Sequence, residues 1–123
     1  MKNPCDITAA NDGRVMVVDW GGSCVHIFSE DGDYLENFKL QGSYDSCRIA
    51  FHQLSEWSLS EHVVIAGDEE EEPVVGVEIF TKDGEFVRSS QIHEERIGDI
   101  SGITVTSYGQ IALLVIIDFN RLN

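Results

Sequence analysis

The 123-residue chain is short of proline, cysteine and basic residues, and each shortage excludes something. Two prolines beside 11 glycines leave no Pro-rich or collagen-like segment, and 42% hydrophobic against 24% charged residues is the make-up of a folded chain. Three cysteines, Cys5, Cys24 and Cys47, form no CxxC pair. They are too few and too dispersed for a disulfide framework or a zinc site, so a reduced, cytoplasmic setting is expected. No Asn-x-Ser/Thr acceptor occurs. Lys and Arg total 8 against 22 Asp and Glu, a formal net charge of −14 with no local basic run. Such a surface repels phosphate backbones, whose affinity for proteins comes from Lys and Arg contacts that release counterions, so nucleic acid is not an expected partner. The longest apolar run, IALLVII at 111–117, has seven residues, where roughly 20 are needed to cross a bilayer. It reads as a buried strand, and no membrane partner is expected. The opening MKNPCDITAA meets Pro4 and Asp6 before an apolar segment can build, unlike a secretory signal. Any long segment of 3.6-residue periodicity is also missing.

What the chain has is a repeat. VHIFSEDGDYL at 25–35 returns as VEIFTKDGEFV at 77–87, with Val25, Ile27, Phe28, Asp31 and Gly32 matched by Val77, Ile79, Phe80, Asp83 and Gly84 without a gap. A strand, an Asp-Gly turn and a second strand in one register point to duplication. Extended outwards, the first copy reads as a four-strand antiparallel meander, with strands at about 6–10, 14–19, 24–29 and 33–40. The second copy places them at about 46–51, 62–68, 74–81 and 85–92. Ten more residues separate Ile49 from Val77 than Ile7 from Val25, and HQLSEWSLSE and DEEEEP, both at turns, absorb them. A third copy starts in ISGITVTSYGQIALLVII, where Ile103 and Thr104 match Ile7 and Thr8, and has two strands. The expected architecture is one all-β domain over 1–123, with four-stranded units at about 4–40 and 46–92 and an incomplete one at about 100–123. One four-stranded sheet cannot bury both faces alone, and stacking copies supplies the missing face.

VVDWGGSCVHIF at 17–28 resembles the centre of an NHL repeat, the blade of NHL β-propellers. Asp19, Gly21, Val25, Ile27, Phe28, Asp31 and Gly32 fit that pattern, as does PxDIxxxxDG from Pro4 to Gly13, while Gly22 and Cys24 stand where Asn and Arg are usual. The resemblance implies blades of four antiparallel strands, about two and a half of a six-bladed ring. Two and a half blades do not close a ring. The chain is therefore expected to be a fragment of a longer NHL protein, the alternative being association of copies to complete the ring. Self-association through open blade edges, above all at IALLVII, is expected in either case.

In such rings partners meet the face made by the loops joining strands two to three and strand four to the next blade, here about 19–24, 67–74, 40–46 and 92–100. Trp20, Tyr44, Asp45 and Arg96 lie on these loops and are the candidate partner-binding residues. Trp20 and Tyr44 are named as exposed aromatics, with packing between neighbouring blades as the equal alternative. The acidic run Asp68 to Glu72 lacks the spaced oxygens of a Ca²⁺ site and reads as a solvated loop. His26, His52, His62 and His93 show neither HxH nor HExxH spacing. Cys5 and Cys47, each two residues before the repeat isoleucine, are equivalent by duplication and need no disulfide. No catalytic residue, cofactor or metal is therefore expected. The resemblance implies a noncatalytic protein-interaction module, as in tripartite-motif NHL proteins. The alternative is part of a propeller hydrolase or lyase with an axial metal, which the mostly apolar inner strands ITAA, IAF and ITVTS disfavour.

Overall fold

Runs such as VMVVD and CVHIF are rich in β-branched residues and bounded by glycine or aspartate, which favours short pleated strands between tight turns. In the computed structural model, which describes residues 2–53, 61–69, 74–93, 97–105 and 111–117, the described residues hold ten strands and no helix. β1 (Pro4–Ala9), β2 (Val15–Asp19), β3 (Cys24–Phe28) and β4 (Tyr34–Lys39) form one antiparallel sheet in chain order. β5 (Tyr44–Gln53), β6 (Glu61–Glu69), β7 (Val74–Thr81) and β8 (Phe86–His93) form a second with the same order. β9 (Ile97–Val105) and β10 (Ile111–Ile117) pair as a third. Several boundaries differ from expectation by a few residues, with β1 starting at Pro4 and β5 ending at Gln53, and two of the differing starts have a clear cause. β5 begins at Tyr44, because pairing resumes beyond a register shift with Tyr44 opposite Glu69. β9 begins at Ile97, because Ile97 still pairs with Ile117.

The repeated Asp-Gly turn has one geometry in both copies. The Ser29 N–H donates to the Asp33 carbonyl and the Gly32 N–H to the Ser29 carbonyl. Thr81 and Glu85, with Gly84, make the same two bonds, and the Ser29 and Thr81 hydroxyls each accept the N–H four residues on. Gly32 and Gly84 take φ of 92° and 90°. That left-handed backbone strains any residue with a Cβ, so the turn itself requires the glycine in both copies. Just beyond the turn each hairpin slips its register at the same place, between Ile27 and Phe28 and between Ile79 and Phe80.

The core lies between the first two sheets. Met16, Val18, Val25 and Ile27 of the first pack with Cys47, Ile49, Val63, Ile65 and Phe80 of the second, and all are buried. Alternation aims one face of β2 and β3 at this seam. In β6 the whole run Val63–Ala66 is buried, so the second sheet is covered on both faces. β9 lies against β5 and β6. The first strands of successive sheets are therefore neighbours, β1 beside β5 and β5 beside β9. At the seam Asp6 Oδ2 accepts the Ile49 N–H at 3.0 Å, and the Arg14 guanidinium reaches the Lys82 carbonyl at 3.3 Å. The Phe38 and Phe80 rings meet across it with centroids 4.7 Å apart.

Candidate functional site

Antiparallel meanders put the β2–β3 turn, the β4–β5 link and the ends of β6 and β8 at one end of the molecule. In the second sheet this end is built around Glu78, 1% exposed. Its Oε1 accepts the Gln41 N–H at 2.7 Å and its Oε2 the Gly42 N–H at 2.9 Å, and the Tyr44 hydroxyl also donates to Oε2. Burial first, then the hydrogen bond and charge of Glu78, push the Tyr44 hydroxyl far up, so the phenol keeps its proton. The Tyr44 ring lies beside Gly76, where a Cβ would come within 2.8 Å of it. Beside this group is a cleft of about 380 Å³ lined by Gln41, Gly42, Glu69, Ser89, Ser90 and Gln91 as well as Tyr44, Gly76 and Glu78. Glu69 accepts the Gln91 amide on both oxygens at 3.0 Å.

The matching place in the first sheet has different residues. Counting from the repeat valines, Cys24 stands where Gly76 does and His26 where Glu78 does. Cys24, His26 and Phe28 point to one face of β3, while Val25 and Ile27 enter the core. Asp19 pairs with Cys24 across the hairpin and joins them. Its Oδ1 accepts the Asn3 N–H at 2.8 Å and the Gly22 N–H at 3.3 Å, while its Oδ2 accepts the Lys2 N–H at 3.0 Å and faces His26 Nε2 at 3.4 Å. Burial pushes this carboxyl up, but the donors from Asn3, Lys2, Gly22 and His26 outweigh it and hold it at about 2. Cys24 Sγ is 3.3 Å from the same His26 nitrogen, and burial pushes its thiol up. Among the described residues these are the one trio of His, Cys or acidic groups whose ligand atoms all lie within 4.8 Å of each other.

Two expectations need correction. Tyr44 is not an exposed aromatic: it is 5% exposed, because Glu78 binds its hydroxyl and Gly76 makes room for its ring. The cysteines and histidines are dispersed in sequence but not in space, since sheet pairing brings Cys24 to His26 and sheet stacking brings Cys5 to Cys47. The Cys5 and Cys47 sulfurs are 3.3 Å apart as free thiols, and Cys5 Sγ also donates to the Cys47 carbonyl at 3.0 Å. The hydrogen bond with Cys5 and burial push Cys47 up, so Cys5 ionises first of the pair. Trp20 is half-buried and packs its ring against the core at the β2–β3 turn. Asp45 lies in β5 where the register slips, and Arg96 lies outside the described residues. Of the acidic run, Asp68 is buried and Glu69 half-buried at the end of β6, and 70–72 lie outside the described residues. No helix among the described residues is long and apolar enough to cross a membrane. No protein-family model matches the chain, and no curated protein matches it.

Proposed function

We propose that the chain is part of an NHL-type β-propeller and works as a noncatalytic protein-interaction module, binding its partner at the end where the β2–β3 and β4–β5 connections lie. Four-stranded sheets stacked in chain order, with first strands as neighbours and one turn geometry repeated, support the propeller reading. The observation that carries the binding role is the polar cleft between the first two sheets, with Glu69 on its wall and Glu78 at its back. Glu78 is buried under three donors, whereas Glu69 is half-buried, meets one amide, Gln91, and keeps a lone pair on each oxygen for a ligand. A net charge of −14 draws cationic partners and repels anionic ones. The fitting ligand is a Lys or Arg side chain presented by a protein.

Fluorescence anisotropy with labelled Lys/Arg-rich and Glu-rich peptides tests this. The basic peptide binds, its affinity falls as salt rises, and Glu69→Gln weakens it several-fold; a random oligonucleotide stays free. Equal binding of both peptides, or no effect of Glu69→Gln, overturns the assignment. Self-association is part of the same proposal. Ile7 on the first strand is 62% exposed, on the face that a further sheet would cover in a ring. Light scattering at tens of micromolar should give a mass above that of one chain.

A further inference from the structure

We propose that Asp19, Cys24 and His26 form a binding site for a zinc-class divalent cation, with Asp19 Oδ2, Cys24 Sγ and His26 Nε2 as its three protein ligands. The donor set is one thiolate, one imidazole and one carboxylate, the mixture that borderline-soft Zn²⁺ takes. Tetrahedral Zn²⁺ with ordinary bond lengths holds its ligand atoms about 3.2–3.6 Å apart. Here sulfur to imidazole nitrogen is 3.3 Å and nitrogen to carboxylate oxygen 3.4 Å. Two of the three pairs are therefore spaced as ligands before any metal arrives, and the third lies within 4.8 Å.

The surrounding hydrogen bonds leave the needed lone pairs unused. Asp19 Oδ1 is occupied by two N–H donors, but Oδ2 has one protein N–H and one side turned to His26. His26 Nδ1 lies 3.2 Å from the Tyr34 hydroxyl, which the Asn37 amide contacts at 2.7 Å. When the ring proton sits on Nδ1 and is donated to Tyr34, Nε2 gives up its hydrogen bond to Asp19 and turns a lone pair to the cation, and such an outer partner fixes ring orientation at metal sites. Gly22 supplies an independent observation. A Cβ there would stand 3.1 Å from Asp19 Oδ2 and 3.3 Å from Cys24 Sγ, so the glycine leaves open a space bounded by two of the ligands.

The repeat shows why this place can be a site. In the second sheet the equivalent position holds Glu78, and Gln41 and Gly42 of the β4–β5 link close over it with two N–H donors. In the first sheet no described strand covers that side. Asp19 and Cys24 are buried and the His26 side chain keeps 13% exposure, so a fourth ligand, water or a partner's side chain, has its approach beside His26. On binding, the Cys24 thiol gives its proton to solvent and coordinates as thiolate. The proposal replaces the expectation, drawn from spacing alone, that these residues carry no metal.

Titration of the full chain with Co²⁺ and Zn²⁺ under reducing conditions tests it. Co²⁺ should produce a near-ultraviolet thiolate-to-metal charge-transfer band with tetrahedral visible absorption, and Zn²⁺ should abolish both at one equivalent. Cys24→Ser and His26→Gln should each lower Co²⁺ affinity at least tenfold, whereas Cys5→Ser and Cys47→Ser should leave the band in place. In the unsubstituted protein Zn²⁺ should slow alkylation of Cys24, read by peptide mass spectrometry, and leave Cys5 unchanged. That second readout needs no variant to fold. Absence of the band, a band that survives Cys24→Ser and disappears with Cys5→Ser, or alkylation of Cys24 indifferent to Zn²⁺ overturns the site.

Discussion

Replacing Phe80 by alanine should lower the unfolding free energy by about 3–5 kcal/mol, at least about a fifth of what a domain usually has in total. Phe80 is 1% exposed, and its ring meets Phe38 of the neighbouring sheet at 4.7 Å and Phe86 of its own hairpin at 5.7 Å. Alanine leaves a cavity between two sheets, each stiffened by its own ladder, which can close only by moving whole strands. Urea unfolding should show a lower midpoint at an unchanged slope. The Phe38→Ala and Phe80→Ala double cycle should then return a coupling of about 0.5–1.5 kcal/mol, the usual worth of an aromatic pair beyond its burial. A loss below about 1 kcal/mol on Phe80→Ala would show that the sheets do not depend on this seam.

Glu78→Gln should cost about 2–4 kcal/mol, although it changes one atom and little volume. The carboxylate accepts three donors at once, and a Gln amide can accept on its oxygen only, so its NH₂ faces a donor it cannot bind. Tyr44→Phe removes one donor and leaves the buried charge less satisfied, at about 1.5–3 kcal/mol. The two losses should not add, because each change spoils the same hydrogen bond. Thermal and urea unfolding of both single variants and the double variant would decide. An additive result would show that Glu78 and Tyr44 act separately.

The strands and the glycine turns were legible because their causes are local. Alternating β-branched residues and Asp-Gly at a left-handed φ act within a few residues, so the order of β1 to β8 follows from reading along the chain. Tyr44 was misplaced because QGSYDS looks like a polar loop, and its burial depends on Glu78 in β7 and on the missing side chain of Gly76. Cys24 and His26 did carry a signal. Residues two apart in a strand share a face, and Asp19 opens the other arm of the same hairpin, so C-x-H after D-x₄ on a two-residue period places all three together. Neither the HxH nor the CxxC spacing describes it. Cys5 and Cys47 were recognised as equivalent, but stacked repeats with neighbouring first strands also make equivalent residues adjacent. The cleft had no sequence signal, since it needs the β4–β5 link of one sheet to reach the β7–β8 hairpin of the next.

The two glycine turns, alike in every backbone bond, differ in one respect. Among the described residues nothing lies within 4 Å of where a Cβ would stand on Gly32, while at Gly84 that Cβ would come within 2.9 Å of the Phe38 ring. The molecule thus contains its own control experiment. An alanine at either turn meets the same conformational penalty, and only the one at Gly84 also wedges the sheets apart. Subtracting one effect from the other cancels the turn and leaves the contact between sheets, measured against a reference the chain carries within itself.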